Sequence, residues 1–225
     1  MSKKLFAACL VIAAFAVVPS LASANPILTE PTGTALASGA KITATNVGIT
    51  LMHTSTGDLE CTTAILTGDL TSNATATGAK GEITTAKFGG TGATQSGAPE
   101  PECTGSNFFT PNTTITPEIN MPWCLETPAA ADSFTLKGGP CGTPREIKFN
   151  LDVTGVGTCE YSRTATTNGT LVTDGAGANE NTAAITAVPW TKIGGPGLCP
   201  GTGELTMRFS LETDNAEHAS IFISS

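Results

Sequence analysis

The chain has 225 residues, with 19 acidic against 11 basic side chains and a net charge of −8. Its basic residues are scattered singly, so no patch exists to neutralise a phosphate backbone, and nucleic-acid binding is disfavoured. Charged residues make up only 13%. Thr, Gly and Ala are abundant, a balance that fits pleated, half-wet strands.

Residues 1–24 read as a secretory signal peptide. Lys3 and Lys4 precede an apolar run from Leu5 to Val18, and Ala22-Ser23-Ala24 supplies a small-residue cleavage site. The run is shorter than the roughly 20 residues of a membrane span. Cys9 lies inside the run rather than at its end, which argues against lipid attachment there. Cleavage makes Asn25 the first mature residue and leaves 25–225 as one secreted β-rich domain, with no membrane span after signal removal.

Short β-rich runs follow in order, most of them bounded by Gly, Pro, Asn or Asp. They are Lys41–Asn46, Gly48–His53, Asp58–Leu66, Glu82–Phe88, Thr113–Ile119, Ser133–Lys137 and Glu146–Val153. Thr158–Ala165, Thr170–Thr173, Ala183–Val188, Glu204–Glu212 and Ser220–Ile223 complete the set. Two of these alternate strictly. Ile147, Phe149, Leu151 and Val153 share one face, and Leu205, Met207, Phe209 and Leu211 share another. A period of two places such residues against a core and sends Lys148 and Arg208 to water. No segment carries a helical period. The expected fold is all-β, an antiparallel β-sandwich or partly closed barrel of roughly 10–12 short strands.

A faint internal echo bears on the cysteines. Gly57-Asp58-Leu59-Glu60-Cys61 and Gly157-Thr158-Cys159-Glu160-Tyr161 each open a strand, and each is followed by a lone cysteine, Cys103 or Cys199, at a similar interval. Two related halves, 25–103 and 146–225, would then be joined by 104–145. The six cysteines of the mature chain, Cys61, Cys103, Cys124, Cys141, Cys159 and Cys199, permit about 15 pairings. If each half closes its own bridge, Cys61 pairs with Cys103 and Cys159 with Cys199, leaving Cys124 for Cys141. Metal ligation would want Cys-x-x-Cys doublets or nearby histidines, and a redox pair would want Cys-x-x-Cys. Neither pattern is present, and His53 and His218 are far apart in sequence.

The elements Gly57-Asp58-Leu59-Glu60-Cys61-Thr62-Thr63-Ala64-Ile65-Leu66-Thr67-Gly68, Met121-Pro122-Trp123 and Leu198-Cys199-Pro200-Gly201-Thr202-Gly203-Glu204-Leu205-Thr206, together with the signal peptide, carry a resemblance. The chain resembles small secreted proteins of unknown function that occur in many diverged copies in soil actinobacteria. The resemblance implies an exported β-rich domain and lends no activity.

Few residues suggest chemistry. No Gly-x-Ser-x-Gly elbow is present. Glu100 and Glu102 could place two carboxylates on one side of an extended segment, as a glycosidase needs, but Pro99 and Pro101 make this a stiff, solvated loop. Asp174, Asn179, Glu180 and Asn181 gather oxygens among small residues and form a weak candidate calcium loop, without the Asp-x-Asp-x-Asp-Gly spacing. Trp123 and Trp190 each follow proline. They are candidate ligand-stacking residues for sugar rings, with core plugs the commoner role for such indoles. The expected function is a secreted, non-enzymatic binding or structural domain whose partner is a glycan, a cell-wall polymer or a surface protein. The alternative is a secreted carboxylate-dependent hydrolase. No cofactor is expected, calcium aside.

Overall fold

The computed structural model describes residues 27–89, 103–109, 113–116, 121–127, 133–173, 181–213 and 221–224. The strands are β1 (Ile27–Thr29), β2 (Lys41–Asn46), β3 (Thr50–Thr54), β4 (Gly57–Cys61), β5 (Thr63–Ala74) and β6 (Gly78–Gly89). After them come β7 (Thr104–Gly105), β8 (Thr113–Thr116), β9 (Trp123–Glu126), β10 (Ser133–Gly138) and β11 (Ile147–Val153). The last are β12 (Gly157–Arg163), β13 (Thr167–Thr173), β14 (Asn181–Gly194), β15 (Thr202–Thr213) and β16 (Phe222–Ser224). One short 3-10 turn, Asn107–Phe109, is the only helical element among the described residues.

Eight strands close on themselves in the order β15-β2-β5-β6-β9-β10-β13-β14, with β14 pairing back to β15. Every neighbouring pair is antiparallel. This is a closed barrel rather than a sandwich, with further strands outside it. The extra strands branch from the closing ladder. β15 pairs with β2 from Phe209 to Thr213 and with β3 from Gly203 to Thr206. β14 pairs with β13 from Asn181 to Ala184 and with β12 from Thr191 to Gly194. Both exchanges flank one irregularity, a bulge between Ile185 and Val188. There Ala187 adopts a positive φ of 49° and its N–H donates to Thr206 Oγ1 at 3.0 Å. A bulge bends a strand and raises its local twist, which lets the two strands leave one sheet for the other.

The second sheet runs β7-β4-β3-β15-β14-β12-β11-β8. Among the described residues, its outermost strands are brought together by one bridge, Cys103 N–H donating to the Thr113 carbonyl at 3.0 Å. Exposed sheet edges invite pairing with other chains, and this bridge ties the two edges together at one point.

Three disulfides brace the fold: Cys61–Cys103, Cys124–Cys141 and Cys159–Cys199. These are the pairs that the internal echo predicts. The first ties the end of β4 to the residue before β7, and the third ties β12 to the turn between β14 and β15. In the chain-entropy account each contributes about 3–4 kcal/mol. The echoed strands occupy different places. β4 stands one strand away from β15, whereas β12 lies directly on β14.

The predicted segment Asp58–Leu66 is two strands, because the chain turns from the second sheet into the barrel at Thr62. The Asn46 side chain pins that corner, accepting from Ala64 N–H at 2.7 Å and donating to the Thr62 carbonyl at 3.1 Å. β1, β7 and β9 are strands that the sequence pattern does not announce. Each is too short for an alternation to register.

Where the sheets meet, Phe149 stacks on Tyr161 at 5.5 Å and meets Trp190 edge-on at 4.7 Å. Tyr161 is fully buried and its hydroxyl donates to the Pro200 carbonyl at 2.9 Å. Burial pushes its pKa up to about 12.

Both alternating strands point as their period demands, with Phe149 and Phe209 buried. Arg208 departs from the expected free surface residue, since its Nε donates to the buried Thr182 hydroxyl at 2.9 Å. Phe149→Ala and Phe209→Ala should each cost roughly 3–5 kcal/mol in denaturant melts. Lys148→Ala, which loses only a partly exposed ion pair with Glu146, should cost under about 0.5 kcal/mol. Arg208→Ala should cost about 1 kcal/mol through its hydrogen bond. Equal losses for Lys148→Ala and Phe149→Ala would mean that β11 is covered on both faces.

Candidate functional site

The inside of the barrel is where the chain departs from close packing. Inward positions on β5 and β6 include Ala64, Gly68, Ala79, Gly81 and Ala86, and the facing strands add Ala44 on β2 and Ala183 on β14. An eight-stranded barrel is just wide enough for its side chains to fill, so small residues on several strands leave space. A cavity of about 90 Å³ results. Its wall includes Ile42, Leu66, Ile83, Leu125, Phe134 and Leu211, and it is apolar almost throughout. At about 24 cal/mol per Å³, an unfilled void of 90 Å³ costs roughly 2 kcal/mol.

One end of this cavity is covered by the terminal strands. β1 and β16 form a separate two-stranded ribbon, and Leu28 of β1 joins Leu36, Leu70, Ala79 and Ile221 in a small apolar cluster there. Leu28 also lines the cavity. The Asn73 side chain grips this cap: it accepts from Leu28 N–H at 2.9 Å and donates to the carbonyls of Leu28 at 2.7 Å and Leu36 at 3.0 Å.

A second void of about 30 Å³ lies beyond Leu136, Ile185 and Met207, which line both spaces. Trp123 and Trp190 form part of its wall. The two indoles thus share one place, but it is the interior, and each is only 4% exposed. This corrects the reading of Trp123 and Trp190 as surface stacking residues. Each sits at an inward position of a strand paired on both sides, where burying a large aromatic area is favoured. Among the described residues, neither indole N–H has a hydrogen-bond partner. Such unmet donors cost roughly 1–3 kcal/mol each.

The other expected sites come together poorly. Glu100, Glu102 and His218 lie outside the described residues, as do Asp174, Asn179 and Glu180 of the calcium loop. Asn181 opens β14 and pairs with Thr173. His53 meets Asp58, Nδ1 to Oδ1 at 2.5 Å, on a well-exposed part of β3 and β4. Cys124, Glu126 and Cys141 are close enough to surround an ion, but a ligating cysteine is a thiolate and both sulfurs are committed to a disulfide.

Glu126 is the centre of a small charged cluster beside that bridge. Lys80 reaches one carboxylate oxygen at 2.9 Å and Lys137 the other at 3.4 Å. The hydrogen bond from Lys80, helped by Lys137 and opposed by burial, holds the Glu126 carboxyl below its usual 4.5. An open surface cleft of about 590 Å³ lies nearby, lined by Lys137, Arg145, Glu146 and Thr166. Two of its charges are already used, Lys137 by Glu126 and Glu146 by Lys148.

No known protein family, curated protein or solved structure matches the chain.

Sequence reasoning misses the barrel cavity. Its one local sign is Gly68 and Gly81, glycines inside strands, which mark a bulge or a missing side chain. Seeing that they face inward beside Ala44 and Ala183 requires the strand order.

Glu126 also makes a pH prediction. Its folded pKa lies below the unfolded one, so its stabilisation is complete above the unfolded value of 4.5 and is lost as pH falls through the lower folded value. At pH 7, Glu126→Gln should lower stability by about 0.5–1 kcal/mol. The difference from wild type should shrink in melts taken progressively below pH 4.5. A deficit that stays constant into strong acid would show that packing, not charge, is responsible.

Proposed function

We propose that this chain is an exported, non-enzymatic β-barrel protein that acts outside the cytoplasm as a binding or structural domain. The observation that carries this reading is the pairing of all six cysteines beyond residue 24 into three intramolecular bridges. Such bridges persist in oxidising compartments and are rare where thiols are kept reduced. The signal-like residues 1–24 and the resemblance to secreted actinobacterial proteins favour the same compartment.

The polarity of the barrel favours a watery setting. Its outward positions carry Lys41, Asp69, Glu82, Lys87, Glu126 and Lys137, while the interior is apolar. A lipid-spanning barrel has the opposite arrangement. In addition, no helix among the described residues is long and apolar enough to cross a membrane. A glycan, wall polymer or surface protein would therefore be met on the polar outer face, since both tryptophans are inside.

Expression with the native N-terminus tests this. The protein should accumulate outside the cytoplasm, begin at Asn25 and contain no thiol that reacts with maleimide after denaturation without reductant. Non-reducing peptide maps should recover the three bridges. Cytoplasmic retention with free thiols would overturn the proposal. Turnover of a glycoside panel, abolished by Glu100→Gln or Glu102→Gln, would replace it with a hydrolase.

A further inference from the structure

We infer that the interior of the eight-stranded barrel is a binding site for a small, uncharged, apolar molecule. The inference goes beyond the proposed function, which places a partner on the polar outer face, and rests only on its claim that the protein works by binding. Folded proteins hold few voids larger than a water molecule. The cavity of about 90 Å³ is well above that size.

It is not a single misfit. Ala44, Gly68, Ala79, Gly81 and Ala183 come from four strands and all reach the same space. Ile42, Ile83, Leu125 and Leu211 also line it and are only partly buried. Inward aliphatic side chains with accessible surface are what an unfilled site leaves behind.

The wall dictates the ligand. Water needs two to four polar partners to be held in a cavity, and this wall offers almost none. A charged or strongly polar molecule would lose its hydration without replacement hydrogen bonds. An apolar molecule gains on both counts, and dry engineered cavities of about 150 Å³ in another protein take up benzene. At about 90 Å³, the fit is to one aromatic ring or a short alkyl chain. Access is through the end that β1 and β16 cover. Leu28 touches the cavity there, and its strand is held on the barrel by the Asn73 amide.

The test uses the purified, oxidised protein and fluorobenzene, followed by fluorine NMR. Wild type should bind it saturably, release it to benzene in competition, and melt at a higher temperature in its presence. Ala44→Leu and Ala183→Leu each push a larger side chain into the space. They should weaken binding at least about tenfold, a loss large enough to read directly, while the unliganded protein melts no lower than wild type. Should the leucine variants fail to fold, Ile83→Ala enlarges the same wall and should admit 1-fluoronaphthalene, which wild type excludes. Absence of saturable fluorobenzene binding by wild type overturns the inference. So do filled variants that bind as wild type does, or an enlarged variant whose preference is unchanged. None of these results would alter the N-terminus, the location or the bridge map, so failure here is distinct from failure of the proposed function.

Discussion

β14 and β15 run for 14 and 12 residues, about twice the usual strand length, and remain paired to each other across most of that span. Twist accumulates along so long a ladder, so one flat neighbour cannot follow it from end to end. Each strand instead changes partner part-way, at the bulge around Ala187. On one side of the bulge the ladder closes the barrel with β13 and β2. On the other it carries β12 and β3 of the second sheet. The two sheets share one core because they share this ladder, and Ile185, Val188, Leu205 and Met207 lie in its middle.

The disulfides make sense against this layout. Both long-range bridges lie in the second sheet, whose β7 edge has only two residues, and among the described residues one backbone bridge joins that edge to β8. The barrel closes by continuous ladders and carries only the shorter loop, Cys124–Cys141. Covalent restraint is thus concentrated where hydrogen-bonded closure is weakest. The same oxidation removes Cys124 and Cys141 as metal ligands, although Glu126 stands beside them.

Much of the fold was legible because most strands are β-rich runs bounded by turn residues, and two of them alternate strictly. Lys41–Asn46 is predicted residue for residue, and Ile147–Val153 and Leu205–Leu211 show the buried faces that their period requires. The cysteine pairing was legible for a different reason, the similar spacing of two Cys-bearing segments. Closure was not legible. The exchange of partners that closes the barrel takes place at residues 186–187, where alternation fails for two positions and leaves no familiar motif. Trp123 and Trp190 kept two roles in the sequence, because an indole after proline fits a ligand-stacking rim as well as its commoner place in a core. Only the strand order puts both inside.

The candidate site was hidden by the same limit, and it bears on why the barrel keeps its small residues. A Cβ at Gly169 would strike the ring of Phe134, so that glycine is required by packing. Gly68 is required too, since a Cβ there would press on the Glu82 carbonyl at the β5–β6 irregularity. Gly81 is different: an added Cβ would meet only the Asp69 carbonyl, at 3.4 Å. Ala44 and Ala183 likewise border open space rather than a crowded neighbour. Backbone geometry therefore accounts for some of the small residues around the cavity and leaves others without a packing reason. Filling space of this kind is a common route to greater stability, so residues that keep it open lower stability unless something occupies it. Occupation by an apolar guest offsets that loss through linkage, because a molecule that binds only the folded barrel stabilises it by an amount that grows with the logarithm of its concentration relative to its Kd.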